Sequence, residues 1–199
     1  MSGLMDELAL REDMLLATVR RVLENTRRDQ RELKRQHVDA VESSVHAQLR
    51  ILGVPADYDK IYRSYVSHMN EPVYGPEALK RALFLQWYAD VEYIMFTGIG
   101  NIDINIQAEV LREIQGRIEK DSIDTELIWM LRWYASIREW YFDPFTDLAS
   151  LKTFLLDRYP DIQLDTVFTE VSLAGRGLMG EYWRSMWDRQ KEKRVSGLP

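Results

Sequence analysis

The chain has three histidines, His37, His46 and His68, and no cysteine. Metal and acid–base chemistry must therefore be built from carboxylates and very few nitrogens. The one cluster with ligand-like spacing is Asp39, Glu42 and His46, which fall at i, i+3 and i+7 and so share one face of a helix. A di-metal carboxylate bundle would want a Glu-x-x-His pair on each of two helices, and the sequence contains no such pair, so a solvated charged face is the expected role of these three. A nucleophile triad would need one of the histidines as its base, and no G-x-S-x-G elbow accompanies them.

Other stretches that resemble chemistry have simpler explanations. TGIGN at 97–101 lacks the later glycine and lysine of a phosphate loop and follows a helical pattern, so Gly98 and Gly100 read as a helix end and a turn. The acids Asp121, Asp124 and Glu126, and the pair Asp143 and Asp147, stand where helices begin, where capping and the N-terminal dipole account for them. No catalytic residue, metal or cofactor is expected, and the protein reads as more plausibly a non-enzyme.

Aromatic residues are the conspicuous resource. There are six Trp and ten Tyr, and LQWYADVEYIM at 85–95 returns 46 residues later as LRWYASIREWY. On a helix, Phe84, Trp87, Tyr88, Val91, Ile94 and Met95 trace one apolar stripe, which Met130, Trp133, Tyr134, Ile137, Trp140 and Tyr141 repeat. The flanks GPEALKRALF and DSIDTELIWM share little, so two core helices solving one packing problem is preferred to a duplicated repeat. Trp and Tyr also bring one polar atom each that needs a partner, and Asp90, Glu92, Glu126 and Glu139 are the nearby acceptors in sequence. If the rings instead line a groove, Trp87, Tyr88, Trp133, Tyr134, Trp140 and Tyr141 are the candidate pocket residues.

Charge is uneven along the chain. Residues 1–52 are neutral overall, 53–175 carry a net charge of −9 and 176–199 a net charge of +3. Within the first block, seven Arg/Lys and three acids lie between Arg20 and Arg35, and Arg20, Arg27, Arg31 and Lys34 recur along one side of the helix. The acidic body, in cis or from a second subunit, is the favoured counterpart of this run, ahead of nucleic acid. The last helix gathers Tyr182, Trp183, Met186 and Trp187 on one side, with Arg184, Arg189, Lys191, Lys193 and Arg194 elsewhere. It suits a partner's groove better than a membrane surface, with packing on its own domain the default.

The elements that must carry these residues are helices. From Met5 to Ile51 there is no Gly or Pro, yet a straight helix of that length would reach about 70 Å, far beyond the radius of a compact chain of this size, about 16 Å. The stripes Leu15/Val19/Val22 and Val38/Val41/Val45/Leu49/Leu52 are out of phase, which predicts a break near 25–36. Further helices are expected over 57–69, 77–97, 105–120, from 121 or 122 to 142, over 146–159, and over 178–194, with IQLDTVFTEVS assigned to helix. The reading is all-α: a single-domain bundle or array of six to eight helices, with residues 1–52 a long helix or a hairpin that protrudes or folds back, and 53–199 a compact aromatic-rich body.

No stretch approaches the roughly 20 apolar residues of a membrane span, and the N-terminus lacks a signal-like pattern, which points to a cytoplasmic protein. The functional expectation is a non-catalytic protein–protein interaction module that self-associates. The alternative is a small-molecule-binding protein or atypical enzyme with a Trp/Tyr-lined pocket between helices.

Overall fold

Helix α1 (Gly3–Glu32) places Met5, Leu8, Ala9, Glu12, Leu16, Val19, Val22 and Thr26 at intervals of one, three or four along a single buried face. In the computed structural model, which describes residues 3–32, 38–156 and 167–196, α2 (Val38–Ile51) then packs back on α1. The long run is thus a hairpin, with α1 ending inside the window where the two stripes fall out of phase. Gln48 Nε2 donates to Thr26 Oγ1 across the pair at 3.5 Å. Leu15 is half-buried, Val45 and Leu49 are fully buried, and Leu52 is exposed. The side chains of Val38 and Val41 lie outside the described residues.

Helix α3 (Val54–His68) begins three residues earlier than Asp57 suggests, because Gly53 takes a left-handed φ of 75° at the N-cap and Pro55 fits the first turn, where no intrahelical donor is needed. Tyr58, Ile61, Tyr62 and Tyr65 form its buried face, as their spacing predicts. Helix α4 (Gly75–Val91) is buried without interruption from Ala78 to Trp87, which makes it a core helix. It stops short of the expected Gly98. Tyr93 N–H finds the Glu92 carboxylate at 3.0 Å instead of a helical carbonyl, Glu92 turns extended, and a separate turn α5 (Ile94–Thr97) comes next. Gly98, at φ 75°, closes α5, donating to the Ile94 carbonyl at 2.7 Å.

The chain divides into two compact units, Met1–Asp103 and Ile104–Pro199. Within the first unit α1 contacts both α3 and α5.

In the second unit, α6 (Ile104–Glu119) packs on α8 (Ala149–Leu156), and α7 (Thr125–Ile137) runs into a 3-10 turn (Glu139–Phe142). Asp124 caps α7 by accepting from Leu127 N–H at 2.8 Å, so the acid there is structural. Asp147 pairs with Arg112 of α6 at 3.2 Å. A short α9 (Glu170–Leu173) opens with a capping box between Thr169 and Ser172 and packs on α10 (Gly177–Ser196). Among the described residues there is no strand, and eight helices have at least seven residues.

The doubled phrase is a doubled helix stop. Val91 ends α4 and Ile137 ends α7, with Glu92 N–H donating to Tyr88 O at 3.1 Å and Arg138 N–H to Tyr134 O at 2.9 Å. The buried faces nevertheless differ. Trp87 is buried and Tyr88 half-buried, whereas Trp133 is half-buried and Tyr134 fully buried, so the same letters are turned to the core differently in the two units.

Candidate functional site

Most of the rings put forward as anchors or pocket walls are packed on one another. Trp183 is 0 % exposed and sits within ring-contact range of Trp129, Trp133, Tyr134, Phe168 and Tyr182, at centroid separations from 4.7 to 6.0 Å. Those are the distances of offset-stacked and edge-to-face pairs, so these rings fill space that a pocket would leave open. Trp183 as a partner-binding anchor is therefore corrected: its surface is spent inside its own unit. Half-buried Tyr182 accepts the Trp133 indole N–H at 2.9 Å, a role expected of a carboxylate. Glu126, one of those proposed acceptors, instead holds the Arg176 guanidinium at 2.5 Å.

The remaining candidates separate by exposure. Met186 and Trp187 are half-buried, and Lys191 Nζ stands 3.3 Å above the Trp187 ring. Trp87, Tyr134 and Tyr141 are buried, Trp87 in the first unit and the other two in the second. Trp140 is 51 % exposed with the Arg138 guanidinium 4.6 Å over its face. Arg20 and Arg27 are exposed on α1, while the side chains of Arg31, Lys34 and Asp39 lie outside the described residues. Glu42 and His46 are half-buried on α2, and among the described residues no three His, Asp or Glu side chains come together as metal ligands.

The first unit holds a feature that these candidates missed. Arg11, Met14 and Leu15 of α1 and Asp57, Lys60 and Ile61 of α3 line an open groove of about 280 Å3. Half-buried Leu15 and buried Ile61 supply apolar surface. The charged lining is already paired, Lys60 with Asp57 at 2.7 Å and Arg11 with Glu7 at 2.6 Å. Leu10 and Met14 stand on the same helix at 60 % and 63 % exposure. Only the α1 side of this feature had a signal in the sequence, the apolar pair Leu10 and Met14 four residues apart.

Beside the groove, at Glu12 between its α1 residues and one turn past Ile61 on α3, a buried polar cluster joins these helices. Tyr65 of α3 donates to the buried Glu12 carboxylate of α1 and accepts from Arg81 Nη1 of α4 at 3.2 Å. Arg81 also donates to Glu77 at 2.7 Å and to the Met5 carbonyl at 3.2 Å. Burial and the neighbouring Glu12 charge push the Tyr65 phenol well above the ordinary tyrosine value. Burial works against the charge on Arg81, but Tyr65 and Glu77 outweigh it and hold the guanidinium ionised. A second cavity, among Pro55, Tyr58, Tyr62, Leu85 and Ile99, has about 10 Å3, room for one water at most.

No family model, curated protein or solved structure matches the chain. Among the described residues no helix is long and apolar enough to cross a membrane.

Proposed function

We propose that the chain is a non-catalytic protein-interaction module that receives a partner helix along the α1–α3 groove. The observation that carries this reading is the groove itself: an apolar strip with charged, already paired flanks, beside Leu10 and Met14 left in water. Amphipathic helices dock in such grooves through apolar side chains spaced three and four apart. The Glu12–Tyr65–Arg81 cluster ties α1, α3 and α4 together beside the groove, so the walls are set before a partner arrives and little ordering entropy opposes docking. The exposed arginines of α1 would steer an acidic partner.

The small-molecule reading draws less support. The groove lies at the lower edge of ligand-pocket volumes, roughly 300–1,000 Å3, and none of its lining residues is Trp or Tyr.

The test is a full chain with Met14 replaced by a photoreactive phenylalanine analogue, irradiated in cells. A discrete protein adduct is expected from position 14 and none from the same group at exposed Thr153. Absence of an adduct, or a small molecule retained in the native mass spectrum of the purified chain, would overturn the proposal.

A further inference from the structure

The α1 surface carries an exposed pattern, of which, among the described residues, only Glu7 has a charged partner within its own helix, Arg11 at 2.6 Å. Glu7, Leu10, Met14, Ala17 and Arg21 are all exposed and recur at intervals of three and four, the spacing of a helix-pairing seam. The seam is apolar in the middle and oppositely charged at its ends. Across the exposed positions of 3–14, α1 presents Asp6, Glu7 and Asp13 against Arg11, a net of −2. Across 17–28 it presents Arg20, Arg21, Arg27 and Arg28 against Glu24, a net of +3.

We propose that the occupant of the α1–α3 groove is a second copy of this chain, docked through α1 in antiparallel register about Met14. This rests on the interaction-module reading above. A parallel pair would set Glu7 against Glu7 and Arg21 against Arg21, so charge alone rejects it. The antiparallel pair sets Glu7 of each copy opposite Arg21 of the other, seven residues either side of Met14, and brings Leu10 against the Ala17–Thr18 turn. The patch is complementary to itself under a two-fold rotation, which is what a closed dimer requires. Met14, the seam residue that also lines the groove, lies at the two-fold axis and would meet the groove edge of the other copy, where an unbranched thioether suits an irregular apolar surface. The seam from Glu7 to Arg21 is about 22 Å long, so the contact falls at the small end of specific interfaces and a dissociation constant of about micromolar order is expected.

Sedimentation equilibrium of the full chain tests this. A dimer that weakens as salt is raised is expected. Met14→Glu, which puts two like charges beside the axis, should weaken it by about 100-fold, and Arg21→Glu by about 10-fold. The double exchange Glu7→Arg with Arg21→Glu should restore association. These positions are exposed, so circular dichroism should stay unchanged in every variant. A dimer indifferent to Met14→Glu and Arg21→Glu overturns the interface, as does a monomer throughout. A monomer together with a photo-adduct of some other mass from position 14 overturns self-docking alone. A monomer with no adduct overturns both proposals.

Discussion

The phenolic hydroxyl of Tyr65 on α3 donates to the carboxylate of Glu12, which lies 53 residues earlier on α1 and is itself buried. This bond joins helices distant in sequence and sits beside the groove. The folded chain keeps the Tyr65 proton, through burial first and the Glu12 charge second, at pH values where an unfolded tyrosine would lose it. Stability linked to this phenol is therefore complete below the ordinary tyrosine value, about 10, and declines as pH rises beyond it. Tyr65→Phe should cost about 2 kcal/mol near neutrality, because Glu12 loses a donor, and should soften the alkaline loss of stability. Thermal melts of both proteins from about pH 8 to about pH 11 provide the check; parallel declines would contradict the assignment. Tyr134, also raised by burial, leaves some alkaline sensitivity in the variant.

Arg81 donates to the Glu77 carboxylate, the Tyr65 hydroxyl and the Met5 carbonyl, and removing it leaves each of these with one partner fewer around a buried site. Arg81→Met should destabilise the chain by about 3–5 kcal/mol. Urea unfolding with an unchanged slope would report this as a shift of the midpoint.

Gly98 holds a left-handed backbone where a Cβ would come within 2.6 Å of Val19 Cγ2 and 2.7 Å of Val54 Cγ1. Gly98→Ala combines the left-handed penalty with this clash and should cost about 3 kcal/mol. Gly53→Ala has the same sign of φ but open space around it, and should cost about 1–2 kcal/mol. Equal losses in the two variants would show that the contact with Val19 and Val54 is unimportant.

Trp183 and Trp140 are opposites in burial. Trp183→Ala should cost about 3–5 kcal/mol and Trp140→Ala about 0.5 kcal/mol or less. Acrylamide quenching should fall in the Trp140 variant and not in the Trp183 variant.

Helicity was legible because hydrophobic spacing is a local property. The α1 face, the Tyr58/Ile61/Tyr62/Tyr65 face of α3 and the capping acid Asp124 are all set by spacing or cap chemistry. The stops after Val91 and Ile137 were not legible, since neither carries a Gly or Pro signal and one depends on the Glu92 side chain reaching its neighbour's N–H. The role of Trp183 was open in the sequence for another reason. A helix with Trp on one side looks alike whether that side meets its own unit or a stranger, and only the packing of Trp129, Tyr134 and Phe168 decides. The groove escaped notice because it needs α1 and α3 side by side, a relation no single helix displays.

The ring cluster around Trp183 has an optical consequence. Trp129 and Trp133 lie nearly parallel, stacked with centroids 5.4 Å apart, and Trp183 stands across the Trp129 ring at 74°. Transition dipoles held this close in a fixed chiral arrangement couple, so the second unit should give exciton features in its circular dichroism that vanish when the indoles separate. Its folding can then be tracked without any attached dye, and independently of signals from the first unit.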